Sequence, residues 1–152
     1  MGRATVAAML LGLIIGVIAV AWSIGVTRLQ ARRRGADPAR AHRFETVSWA
    51  IYLVLAALIY VGFALREAGD GWMGVELGGL VVYSLLAWLG GARGRGWLLA
   101  VGWALHAGWD LIVHGGVPDQ FVPHWYRWAC LTYDFAAAGY LLRLHRRRPR
   151  AA

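Results

Sequence analysis

The sequence predicts an all-α integral membrane bundle of about five transmembrane helices, and three observations predict it. Hydrophobic residues make up 59% of the 152 positions, above the roughly 45–50% of an average soluble domain. They are gathered into five blocks of about the length that crosses a ~30 Å hydrocarbon core at 1.5 Å per residue. The arginines cluster between the blocks, and only Arg127 and Arg143 fall inside one. The blocks are too long and too poor in alternation for strands, and a backbone in lipid must satisfy its own polar groups, so each block is read as a helix.

The first block, Thr5–Val26, is read as a retained helix and not as a cleaved leader. It is long for a signal core, only Arg3 precedes it, and a basic run follows it. The region Arg34–Asp37–Pro38 is then a cytoplasmic turn. The second block is Val47–Leu65, with Glu45 just ahead of it, where a negative charge suits a helix N-terminus. Glu67 and Asp70 follow as solvated outer-loop residues. The third, fourth and fifth blocks are Trp72–Leu89, Trp97–His114 and Trp125–Leu144. Residues 1–152 read as one transmembrane domain without internal repeats. Gly12/Gly16 and Gly74/Gly78 have the spacing that lets helices approach closely.

All sixteen cationic side chains are arginine. If the helices alternate, thirteen fall on one side and only Arg3, Arg66 and Arg127 on the other. The positive-inside rule then places the N-terminus outside and the C-terminus in the cytoplasm, as a multi-pass protein of the inner cell membrane. Trp22, Trp49, Trp72, Trp88, Trp97, Trp125 and Trp128 stand near block ends, where an amphipathic ring prefers the interface. The net charge of +8 therefore reads as topology. Nucleic acid is not expected as a partner, because little chain remains for a soluble basic surface. The single Cys130 excludes an internal disulfide.

Some residues do not belong in lipid. His106, Asp110 and His114 follow one another at helical spacing in the fourth block. The fifth block brings His124, Arg127, Cys130 and Asp134, and the third brings Glu76 and Tyr83. By the topology above, Glu76, His106, Asp110, His114, His124 and Asp134 share the outer half of the bundle. A charged group at the bilayer centre costs about 2.5 kcal/mol or more, so such groups face a partner or a cavity. Imidazole and carboxylate donors suit a divalent transition metal such as zinc or copper. His106, Asp110 and His114 are the candidate metal ligands, and Asp134 and Glu76 the candidate further ligands or general bases. His124 beside Pro123 fits a solvent-facing loop, Cys130 a small core residue, and Arg127 an outer anchor or counter-ion.

The run His106-AG-Trp109-Asp110-LIV-His114, the loop with Pro118 and Pro123, and Cys130-LT-Tyr133-Asp134 resemble a pattern in uncharacterised bacterial families of small multi-pass membrane proteins. That likeness covers about 30 residues and implies membership without an activity. A looser likeness is to the copper site in the integral C-type subunit of particulate methane and ammonia monooxygenases, onto which Asp110, His114 and His124 can be laid. It suggests metal rather than oxygenase chemistry. Sterol-isomerase-type bundles are similar only in setting acids and histidines among aromatic residues.

Three functions fit these residues. One is a metal-binding membrane protein, including a metalloenzyme acting on a lipid-soluble or small substrate. Another is a metal-independent acid–base isomerase or cyclase of a lipid-soluble substrate, with Trp103, Trp109, Tyr83 and Tyr133 facing a cationic intermediate. The last is an ion or proton pathway, or a subunit of a larger complex. The residues leave the oligomeric state open.

Overall fold

A computed structural model describes residues 2–34, 37–66 and 71–146. Five α-helices follow one another: α1 Arg3–Arg34, α2 Pro38–Arg66, α3 Trp72–Ala87, α4 Gly96–Ile112 and α5 His124–Arg146. A π-helical turn, Trp88–Ala92, extends α3. No strand occurs among the described residues. Glu67, Asp70, Arg147, Arg148 and Arg150 lie outside them.

The helices run alternately up and down. Thr5 meets His124 and Thr132 meets Met9, so α1 and α5 are parallel. Tyr60 of α2 reaches Asp110 of α4, and Tyr83 of α3 reaches Leu105. One end of the bundle therefore carries the α4–α5 loop, and the other carries Arg28, Arg93, Arg95, Arg143 and Arg146. We call these the loop end and the arginine end.

Three segments are long and apolar enough to cross a membrane: Arg3–Gln30, Ala39–Arg66 and Trp72–Ala92. The remaining two helices, like α2 and α3, carry polar groups inside the bundle. α4 has 17 residues and includes His106 and Asp110. α5 has 23 and includes Arg127, Asp134 and a basic last turn.

The pattern of burial is inside-out. On α1, Leu10, Ile14, Val17, Ile18 and Trp22 are exposed, while Thr5 and Ala8 are buried. A helix on a water-soluble core turns its apolar stripe inward. Here small and polar side chains take that place, with Glu45, Glu76, His106, Asp110, His114 and Asp134 among the buried residues. The apolar core between them is built from Trp49, Leu53, Tyr83, Leu99, Trp103 and Leu141.

α1 makes its main contact with α5 and touches α2 far less. A Cβ added to Gly12 would lie 1.9 Å from the Ala129 carbonyl oxygen, and one on Gly16 would lie 3.0 Å from Ala136 Cβ. That pair works as its spacing predicts. Gly74 and Gly78 do not: both face open space, and α3 uses Gly79 instead, beside the Trp109 ring.

Two expectations need correction. α2 begins nine residues before Val47, because Asp37 Oδ1 caps it by accepting the Ala39 N–H at 3.0 Å. Glu45 is therefore not a residue of the helix N-terminus; it is 5% exposed and packed inside. For the same reason Trp49 is no interfacial ring. It is fully buried, edge-on to Trp103 at 5.8 Å.

Candidate metal centre

α4 sets His106 and Asp110 one turn apart on the face it turns toward α2 and α5. α5, antiparallel to it, brings Asp134 to the same depth. His106 Nδ1 lies 2.8 Å from Asp134 Oδ2, both side chains almost wholly buried. Asp110 Oδ1 accepts a short hydrogen bond from the Tyr60 hydroxyl of α2. One ligand atom each from His106, Asp110 and Asp134 lies within 4.8 Å of the others, close enough to share one ion.

His114 stands beside this group. The chain leaves the helix at Ile112, and the His114 N–H is donated back to the Trp109 carbonyl at 3.2 Å. Its ring stacks on Tyr60, with centroids 4.6 Å apart and planes 12° from parallel. Nε2 pairs with Glu76 Oε1 of α3 at 2.7 Å, and Nδ1 lies 3.7 Å from Asp110 Oδ1. Glu76 Oε2 also accepts the Trp109 indole N–H at 3.4 Å. The two histidine–carboxylate pairs are thus joined through Asp110 and Tyr60 into one buried cluster.

Three atoms of this cluster are buried without any hydrogen-bond partner: His106 Nε2, Asp110 Oδ2 and His114 Nδ1. Leaving a buried polar atom unpaired costs about 1–3 kcal/mol. All three are of types that can bind a metal ion, and two of them belong to residues of the His106, Asp110 and Asp134 group. Charge gives the same direction. Glu76, Asp110 and Asp134 face two imidazoles, and no arginine is ion-paired with them among the described residues. With neutral imidazoles, three carboxylates in a low-dielectric interior need cations or protons to compensate them.

The cluster is roofed. The α4–α5 loop folds Phe121 and Val122 inward, and Trp72 packs on Phe121 at 5.0 Å. Arg66 holds this loop by donating to the Gln120 carbonyl at 2.7 Å. Arg127 holds it through the His114 carbonyl and through Asp119 at 2.9 Å. The void lined by Tyr60, Glu76, Tyr83 and Trp109 has no room for a water molecule.

Of the residues singled out in the sequence, His106, Asp110, His114, Asp134 and Glu76 come together. His124 does not: it lies 3.1 Å from Thr5 Oγ1 at the start of α5. The three-residue match to the monooxygenase copper site is therefore not assembled. Cys130 is half-buried, with its thiol beside the hydroxyls of Tyr60 and Tyr126. Tyr60 is the component that the sequence reading passed over. A tyrosine hydroxyl in the middle of an apolar block needs a partner, and that need was its only mark. Comparison of the chain with protein-family models, curated proteins and solved structures finds no match.

Proposed function

We propose that this chain is a multi-pass membrane protein whose bundle binds one divalent transition-metal ion, with His106, Asp110 and Asp134 as its protein ligands. The observation that carries this reading is the convergence of three buried ligand side chains to within 4.8 Å, with His106 Nε2 and Asp110 Oδ2 otherwise unpartnered. A set of one imidazole and two carboxylates suits a borderline ion that accepts N and O donors, zinc or copper before calcium. Glu76 and His114 then act behind the ligands, Glu76 holding the His114 ring and His114 facing Asp110. Such outer partners tune a site by orienting what touches the ion.

In this reading all five helices cross the bilayer, with the loop end outside and the arginine end in the cytoplasm. The inside-out burial of α1 and the gathering of arginines at one end support it. The void beside Tyr60 and Glu76 is too small even for water, which favours an ion over an organic substrate, and so a binding or ion-handling role over the isomerase. A second reading keeps one observation of its own. The pairs at 2.8 and 2.7 Å satisfy each other without an ion, as a proton relay would require.

Elemental analysis of detergent-purified protein separates the two. The metal reading expects one ion per chain, and an Asp110→Ala/Asp134→Ala variant that is folded yet empty. Native protein that is well folded and metal-free would leave the proton relay. Reporter fusions at the C-terminus test the orientation.

A further inference from the structure

Glu45 is a fourth buried carboxylate, at the arginine end and apart from the other three. Its Oε1 accepts hydrogen bonds from Ser23 Oγ at 2.9 Å and from the Tyr140 hydroxyl, while the Trp49 indole N–H is donated to Ser23 Oγ at 3.1 Å. All of these donors are neutral. No arginine or histidine among the described residues is ion-paired with Glu45.

Two cavities meet at this carboxylate. One, of about 400 Å³, opens between α1 and α2 and is walled by apolar side chains such as Ile15, Ile18, Trp22 and Phe44. It exists because α1 leans on α5 and leaves α2. The other, of about 450 Å³, is lined by Arg28 and Arg143 together with Thr27, Tyr140 and Glu45. Thr27 and Glu45 belong to both. Neither Arg28 nor Arg143 makes a side-chain hydrogen bond or ion pair with another described residue.

We propose that the joined cavities bind one phospholipid with a primary-amine headgroup. Its phosphate lies between Arg28 and Arg143, its ammonium meets Glu45, and an acyl chain fills the apolar slot between α1 and α2. Guanidinium groups pair with phosphate through paired N–H donors. Basic pockets between membrane helices take phospholipid heads by that chemistry. The ammonium supplies the cation that Glu45 lacks, which an anionic headgroup does not. This inference rests on the membrane reading of the bundle but not on the metal.

The test is native mass spectrometry of the full chain in detergent, with phosphatidylethanolamine, phosphatidylglycerol and phosphatidylcholine added in equal amounts. Phosphatidylethanolamine is expected to be retained about tenfold over phosphatidylcholine, whose methylated nitrogen has no N–H to donate. Arg28→Gln/Arg143→Gln, which changes two exposed side chains, is expected to lower retention of all three lipids while metal content stays as in the native chain. Glu45→Gln is expected to abolish the preference for the amine. Equal retention of the three lipids by the native chain, a preference for phosphatidylglycerol, or a double variant that keeps its lipid would each overturn the proposal.

Discussion

At the loop end, Glu76, Asp110 and Asp134 are buried with His106, His114 and Tyr60, and the void beside Tyr60 and Glu76 has no room for water. At the arginine end, Glu45 is also buried, yet among the described residues only serine and tyrosine hydroxyls bond to it, and two open cavities adjoin it. Both ends hide carboxylates in a molecule whose outer face is apolar. The difference lies in what compensates the charge. Imidazoles and unpartnered ligand atoms converge at the first, which suits a small ion. At the second, in the proposed lipid site, the compensating group comes from a larger molecule entering from the side.

Substitutions can break this contrast. The largest effect is expected from His106→Ala, which removes a ligand and leaves Asp134 buried without its partner. Metal content should fall to background, and stability should drop by about 3–5 kcal/mol, as when one member of a buried pair is removed. Thermal melts and elemental analysis read both, and full metal occupancy in this variant would end the distinction. His114→Ala is expected to weaken metal affinity by about ten- to a hundredfold, as partners behind the ligands do. An effect as large as that of His106→Ala would make His114 a ligand.

Acid should act on one end first. Ion binding requires deprotonated ligands, so protons and metal compete, and affinity should fall by about tenfold per pH unit for each proton displaced. Metal titrations between neutral and mildly acidic pH would show it. Occupancy that does not respond to acid would argue for a site without histidine or carboxylate ligands. Glu45→Gln is expected to cost only about 1–2 kcal/mol, because the donors facing it are neutral hydroxyls, and to leave the metal in place. The smallest effect belongs to Gly74→Ala, whose new methyl meets open space and which should be neutral or stabilise by up to about 1 kcal/mol. Gly12→Ala, by contrast, drives a methyl into the Ala129 carbonyl and should destabilise clearly.

The five helices were legible because the apolar blocks are long and lack alternation, and each block became a helix. The shared burial of His106 and Asp110 on one face of α4 was legible too, since helical spacing alone sets it. Which acid meets which histidine was not. Asp134 meets His106 and Glu76 meets His114 across helix interfaces, and no local pattern encodes those pairings. Glu45 was misread for a different reason. Hydropathy marks where lipid begins, whereas Asp37 begins the helix two turns earlier in polar sequence. The arginine-end cavities depend on α1 packing against α5 more than against α2, a property that one-dimensional periodicity does not carry.

The parallel pairing of the first and last helices bears on how the chain is made. Thr5 meets His124 across 119 positions, and the groove at Gly12 waits for Ala129 and Thr132. During synthesis α1 is made well before α5, the helix against which it packs most closely. A chain stopped short of α5 would leave that notch unfilled, along with the lone Thr5 hydroxyl. Quality control has a physical mark there by which to tell an unfinished bundle from a finished one.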